Sequence, residues 1–349
     1  MRYTTFGRNT GLRVSELALG TGNFGTGWGY GSEKEEARAV FDGYVSAGGN
    51  FIDTADTYQT GQSEELVGEF IASERDNFVL ATKYTLSARP DAGVALTGNS
   101  RRNMIASVEN SLRRLKTDRI DLLWTHFDDR LTPLEEVVRA FDDLIRSGKV
   151  LYAGLSNFPA WKVSRADTLA ELRGWSRIAG IQVEYSLAER SAERELLPMA
   201  EGLGLAATIW SPLGGGLLTG KYRNSQEGRL QGFGGRLVHT EKDPALLDEV
   251  FSIARELDAL PLQVAIAWLR HRAAQATTSL IPIIGSRTPA QLADTLAALN
   301  VSLTDEQVTR LENVSAIDYG TPHSQITGTL PRAQGAGADK YLRISPPRA

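Results

Sequence analysis

Four side chains within the first 126 residues carry complementary chemistry, and each sits at or just beyond the end of a short apolar run. Asp53 follows Asn-Phe-Ile, Tyr58 comes five residues later in TADTYQTG, Lys83 lies near the end of FVLATKY (78–84), and His126 ends IDLLWTH (120–126). A free tyrosine, with a pKa of about 10, is too weak an acid to protonate a developing alkoxide efficiently at neutral pH. A neighbouring ammonium stabilises the phenolate form. A carboxylate keeps that ammonium charged and in place, and an imidazole can donate to a substrate oxygen and orient it. Such a set suits carbonyl reduction, in which hydride reaches carbon while a proton reaches oxygen. No side chain donates hydride, so a cofactor is required. The competing explanation is that polarity rises wherever a strand leaves the core. Asp, Lys and His on three successive strand ends favour the chemical one.

Strand parity supports convergence. With a period of two, Leu122, Trp124 and His126 share one face, as do Val79, Ala81 and Lys83. An inward lysine carries a large desolvation cost unless it is paired. Asp53, on the preceding run, is the candidate partner.

The elements that must position these groups alternate along the chain. The β-like runs span 17–20, 50–54, 78–84, 120–126, 150–157, 181–185, 205–211 and 280–286, several of them nearly all apolar, as in parallel strands buried on both faces. Helical patterns are predicted over 32–47, 63–73, 100–115, 133–147, 159–172, 193–203, 245–271 (broken at Pro261) and 288–298. Ser32 reads as an N-cap with Glu35 as its capping-box partner. Residues 1–16 read as an additional hairpin. The alternation predicts an α/β fold, either a closed (β/α)8 barrel or an open doubly wound sheet. A single domain is expected over 1–315, with 316–349 an extended or partly disordered tail. Two long irregular segments, 85–99 and the glycine-rich 212–243, are expected either to cover the site or to be disordered.

Composition narrows the function classes. The 349 residues include 38 Lys plus Arg and 42 Asp plus Glu, a formal net charge of −4, which argues against nucleic acid as a partner. With no cysteine, disulfides, a thiol nucleophile and thiolate metal sites are excluded. No apolar stretch approaches a membrane span, and MRYTTFGRNTG lacks the apolar core of a signal peptide, so a cytoplasmic location is expected, without membrane association. His239, His271 and His323 read as solvated residues, and no metal-binding spacing, G-x-S-x-G or Walker motif occurs. Residues 20–25, Gly-Thr-Gly-Asn-Phe-Gly, match a dinucleotide fingerprint formally. Its helix should open at the glycines, yet the helical pattern starts near Ser32.

From about residue 2 to 315 the chain resembles the aldo-keto reductase superfamily. The resemblance rests on NFIDTADTY (50–58), LATK (80–83), DLLWTH (121–126), GLSNF (154–158), QVEYS (182–186), WSPLGGGLLTGKY (210–222) and IPIIGSRTPAQL (281–292). It implies a (β/α)8 TIM barrel that binds NADP(H) without a Rossmann fold and reduces aldehydes or ketones reversibly. By this resemblance Tyr58 is the general acid, Lys83 tunes it, Asp53 pairs with Lys83, and His126 positions the carbonyl. Thr21, Gly22 and Asp53 would contact the cofactor. Ser156, Asn157 and Gln182 would hold the nicotinamide, and Trp210 would stack on it. Ser211, Pro212, Leu213 and Gly215 would cradle the diphosphate with Lys221 adding charge, and Gly285, Ser286, Arg287 and Gln291 would meet the adenosine end. Arg287 beside Ser286 suits a 2′-phosphate, which favours NADP(H) over NAD(H). The family often has Glu-Asn where this chain has Asp294-Thr295, a departure that bears on adenine recognition.

Trp28, Tyr58, His126 and Phe127 would form an aromatic substrate mouth for a small carbonyl or alcohol. No metal is implied. The alternative function is that of a non-catalytic, NADP(H)-binding regulatory subunit like the channel-associated β subunits of the same superfamily. Those carry Asn at the position of His126, and the histidine favours the enzyme.

Overall fold

The computed structural model describes residues 1–89, 91–223 and 244–334. Pro90, residues 224–243 of the glycine-rich segment with His239, and residues 335–349 of the tail lie outside the described residues. The chain opens with the expected hairpin, β1 (Tyr3–Thr5) antiparallel to β2 (Arg13–Ser15). Eight parallel strands follow: β3 (Ala18–Gly20), β4 (Phe51–Asp53), β5 (Val79–Tyr84), β6 (Ile120–Thr125), β7 (Val150–Ser156), β8 (Ile178–Glu184), β9 (Ala206–Trp210) and β10 (Leu280–Ile284). Neighbours pair in chain order, and β10 closes the ring between β9 and β3. The architecture is therefore the (β/α)8 barrel, and the open sheet is excluded. The fingerprint reading of residues 20–25 falls with it, since the first helix begins only at Lys34.

The helices are α1 (Lys34–Ser46), α2 (Gln62–Ile71), α3 (Arg101–Leu115), α4 (Leu134–Arg146), α5 (Ala160–Arg173), α6 (Leu196–Leu203), α7 (Pro244–Glu256), α8 (Pro261–Gln275), α9 (Pro289–Ala297), α10 (Asp305–Val314) and α11 (His323–Gln334). Pro261 opens α8, where its missing N–H costs nothing. Three expectations are corrected. Ser32 does not cap α1: Glu33 holds that position without a side-chain cap bond, and the Ser32 hydroxyl donates instead to the Arg287 carbonyl at 2.7 Å. A tertiary bond across the barrel mouth has replaced the local one. The helix expected at 193–203 starts three residues later, after a 3-10 turn over Ser191–Glu193. The tail is not simply extended, because α11 forms within it. Tyr319 donates to Glu193 at 2.8 Å, and His323 lies 2.9 Å from Glu195.

One apolar layer lies between strands and helices, and a second fills the barrel interior with Phe6, Phe51, Val79, Ala81, Leu122, Trp124 and Ile281 among others. Phe6, on the turn of the N-terminal hairpin, packs edge-on against Phe51 and Trp124 and plugs the N-terminal end. Gly154 on β7 makes room for Trp124, since a Cβ there would lie 2.3 Å from its ring, and Gly180 on β8 makes room for the plug, a Cβ there lying 2.9 Å from the Phe6 ring. Val79 and Ala81, and Leu122 and Trp124, thus face inward as parity requires. The next inward positions on β5 and just past β6 are Lys83 and His126, at the C-terminal mouth where barrels of this type place their chemistry.

Candidate active site

Lys83 is fully buried, and its three ammonium protons all have acceptors. Nζ donates to Asp53 Oδ2 at 2.5 Å, to the Thr54 carbonyl at 2.8 Å and to Tyr58 Oη at 3.2 Å. Burial pulls the lysine pKa down, but the charge of Asp53, followed by Tyr58, outweighs it and holds Lys83 above its ordinary value. The second carboxylate oxygen of Asp53 accepts from Gln182 Nε2 at 2.9 Å, so β4, β5 and β8 meet at one carboxylate. Tyr58 accepts from Lys83, which leaves its own proton to donate outward.

His126 is buried one residue past β6, its ring centroid 6.1 Å from that of Tyr58 at an interplanar angle of 79°. Burial, reinforced by the Lys83 charge, drives its pKa well below the ordinary imidazole value, so the ring is neutral at physiological pH. Nδ1 is buried without a hydrogen-bond partner. A buried acceptor without a partner is tolerated better than an orphaned N–H donor, so we assign the ring proton to Nε2. The Phe127 ring stacks on the imidazole at 4.5 Å and 18°. Trp28 meets Tyr58 edge-on at 5.9 Å and Tyr30 at 5.9 Å. The four sequence-predicted catalytic residues, with Trp28 and Phe127, therefore gather at one aromatic mouth.

The residues expected to hold a dinucleotide line the same end of the barrel. Asn157, at φ +56°, donates through Nδ2 to the His126 carbonyl at 3.0 Å and to Ser156 Oγ at 3.0 Å, and accepts the Trp210 indole N–H at 3.1 Å. The indole is thus held by its edge. Gly214, Gly215 and Gly216 run in succession at φ +57°, +63° and +96°, a backbone that side chains would strain, and Ser211 Oγ pins Gly215 N at 2.9 Å. A Cβ on Gly216 would lie 3.0 Å from Lys221 Nζ. A Cβ on Gly22 would touch the Tyr58 ring at 3.7 Å, and Gly285 meets nothing closer than 3.9 Å. Bare backbone beside an ammonium fits a diphosphate, and an edge-held indole fits a stacked ring.

At the far end Ser286 is buried and Arg287 exposed, and no carboxylate pairs with the Arg287 guanidinium among the described residues. The Arg287 backbone N–H donates to Gln291 Oε1 at 2.9 Å. Asp294 is exposed, whereas Thr295 is buried with its hydroxyl on the Gln291 carbonyl at 2.8 Å. Thr21 is buried, its hydroxyl bonded to Ser63 and to the Asp53 carbonyl. Pro212 is buried and Leu213 half-buried.

Four contributors escaped the sequence reading. Gln59, fully buried, bonds the Gly22 carbonyl at 2.9 Å and the Trp28 N–H at 3.0 Å, tying the Trp28 loop to the Tyr58 loop. Asn99 and Thr85 bond to the segment carrying His126 and Phe127. Asp56, two residues from Tyr58, is buried with Oδ1 unpartnered. Their residue types are common in loops, and the bonds that single them out span 14 to 41 positions.

Comparison with known proteins gives the family. Residues 16–316 match the Aldo/keto reductase family. The chain is 36% identical over 321 residues to norsolorinic acid reductase stcV of Emericella nidulans, covering 89% of this chain and 81% of the relative. It is 36% identical over 341 residues to a protein of Saccharomyces cerevisiae provisionally named aryl-alcohol dehydrogenase AAD14, covering 93% and 89%. It is 40% identical over 322 residues to the uncharacterized oxidoreductase YrpG of Bacillus subtilis, covering 90% and 95%. Among the described residues no helix is long and apolar enough to cross a membrane. The chain belongs to the aldo/keto reductase family, oxidoreductases of small-molecule carbonyl compounds that generally use NAD(P)H.

Proposed function

We propose that this chain is an NADP(H)-dependent reductase of aldehydes or ketones, reversible to alcohol oxidation, with Tyr58 as general acid and base. When bound, the nicotinamide supplies or accepts hydride. The remaining chemistry belongs to the protein. Tyr58 gives its proton to the carbonyl oxygen as negative charge develops there. Lys83 stabilises the resulting phenolate, and Asp53 keeps Lys83 charged and aimed. Neutral His126 donates from Nε2 to the same oxygen and so fixes its direction. In alcohol oxidation the phenolate takes the proton back.

The observation that carries this reading is the 3.2 Å contact of Lys83 Nζ with Tyr58 Oη, in a lysine whose other two protons are held by Asp53 and Thr54. Ser156, Asn157, Gln182 and Trp210 would hold the nicotinamide. Lys221 and the Gly214–Gly216 turn would hold the diphosphate, and Ser286 and Arg287 the 2′-phosphate. The aromatic mouth of Trp28, Tyr30 and Phe127 favours aryl carbonyls, in keeping with the aryl alcohols named for the yeast relative.

The test is a turnover screen of aromatic and aliphatic aldehydes, a nitrobenzaldehyde included, with NADPH and NADH, following nicotinamide absorbance in both directions. Turnover with NADPH exceeding that with NADH is expected, and Arg287→Ala should reduce the preference by roughly 10- to 100-fold, the worth of one charge-assisted phosphate contact. Tight cofactor binding with no turnover across the panel would replace this reading with the non-catalytic one.

A further inference from the structure

Thr85 immediately follows β5, two residues past Lys83, and lies at φ +120°. A β-branched side chain rarely adopts that conformation, and such strain costs of the order of 1–3 kcal/mol. It persists where surrounding bonds over-determine it, and here they do. The Thr85 carbonyl accepts from Gly98 N at 2.7 Å. Its hydroxyl donates to Asn99 Oδ1 at 2.6 Å and, at 3.2 Å, shares the His126 N–H with the Tyr84 carbonyl at 2.9 Å. Asn99 Nδ2 donates in turn to the Phe127 carbonyl at 2.8 Å, and Asn99 N donates to Asp129 Oδ2 at 2.7 Å. Both Thr85 and Asn99 are buried. The two side chains therefore grip the His126–Phe127 dipeptide at its first N–H and its last carbonyl.

The grip matters because the imidazole lacks the usual restraint. A catalytic histidine is ordinarily aimed by a hydrogen bond to the nitrogen that does not work on substrate. His126 Nδ1 has no such bond. Backbone placement and the Phe127 ring stacked at 4.5 Å are what set the direction of this imidazole. The clamp contributes to both, beside the Tyr84 carbonyl on the His126 N–H and the Asn157 amide on the His126 carbonyl, and it alone among these joins His126 to Phe127.

We propose that Thr85 and Asn99 are positioning residues for His126 and Phe127, fixing the imidazole beside Tyr58 and the aromatic wall of the mouth together. The role in turnover rests on the carbonyl-reductase reading above, whereas the clamp itself can be read independently of activity. The variants are Thr85→Val, which keeps the branched shape and loses the hydroxyl, Asn99→Ala, and Thr85→Ser, which restores the hydroxyl. Two readouts are taken on the full chain: kcat and KM for a small and a bulky aromatic aldehyde, and the nitrogen-15 spectrum of the His126 ring, assigned by its loss in His126→Asn.

Thr85→Val and Asn99→Ala should lower kcat by roughly 10- to 100-fold, as expected for misplacement of a working group by about an ångström, with a smaller change in KM for the small aldehyde. Their ring signal should broaden or split, and Thr85→Ser should stay near wild type in both readouts. Unchanged turnover and an unchanged ring signal in Thr85→Val and Asn99→Ala would overturn the proposal. So would Thr85→Ser as impaired as Thr85→Val. Should the wild-type chain turn over no carbonyl at all, the functional reading fails, and the ring signal still decides the clamp: a moved signal supports it and an unmoved one refutes it.

Discussion

Replacing Lys83 with methionine separates the two jobs assigned to this ammonium. Asp53 is 2% exposed, and its contacts are Lys83 on one oxygen and the neutral Gln182 amide at 2.9 Å on the other. Lys83→Met leaves that carboxylate buried with only the amide as a donor. Breaking a buried pair by removing one partner costs about 3–5 kcal/mol, because a charge stays behind uncompensated. At about 2–4 °C per kcal/mol for domains somewhat smaller than this one, the melting temperature should fall by roughly 10 °C. Adding Asp53→Asn removes the stranded charge and keeps the Gln182 contact in modified form. The double variant should recover at least half of the loss. Turnover should behave differently. Without the ammonium the phenolate loses its stabilisation, kcat should fall by about 10²- to 10⁴-fold, and the second substitution should restore none of it. Urea or thermal unfolding with nitrobenzaldehyde turnover on the four proteins of the cycle provides both readings. A double variant no more stable than Lys83→Met would refute the unpaired-charge argument, and a double variant that regains turnover would refute the role given to Lys83.

Two further outcomes concern pH. His126 has a folded pKa well below the unfolded value of about 6.5, so below that pH the unfolded chain binds a proton that the folded chain refuses. Wild type should therefore lose up to about 1.4 kcal/mol per pH unit as pH falls below about 6.5, with no such slope above it, and His126→Asn should lack this component. Equal slopes in the two proteins by urea unfolding across this range would contradict the assignment. Asp56 behaves in the opposite sense. Burial, and then the Glu64 carboxylate, push its pKa well above the ordinary value, so the folded chain keeps a proton that the unfolded chain loses and stability declines as pH rises through that window. Asp56→Asn should gain stability relative to wild type as pH increases from 4 to 8, and a difference independent of pH would show that this carboxyl is ionised in the fold.

Much of the site was legible because a barrel strand encodes it by parity. Ala81 faces inward, so Lys83 must as well, and Leu122 and Trp124 fix His126 in the same way. The eight runs also stood out, since strands buried on both faces contain few polar residues. What stayed hidden was set by bonds between distant positions. Ser32 carries a capping signature, yet its hydroxyl serves the Arg287 carbonyl, 255 residues away. Asn99 is one polar residue in a polar loop until the fold brings it to Phe127. The tail helix α11 has few large apolar side chains to announce it and lies largely exposed, tied to the barrel through Tyr319 and His323.

The central claim is proton delivery by Tyr58, and Tyr58→Phe tests it most directly. The ring and its packing against Trp28 and His126 remain, and only the hydroxyl bonded to Lys83 is lost. If Tyr58 delivers the proton, kcat for carbonyl reduction falls by about 10²- to 10⁴-fold while nicotinamide cofactor affinity, titrated by fluorescence, is nearly unchanged. A variant that retains most of its turnover would contradict it.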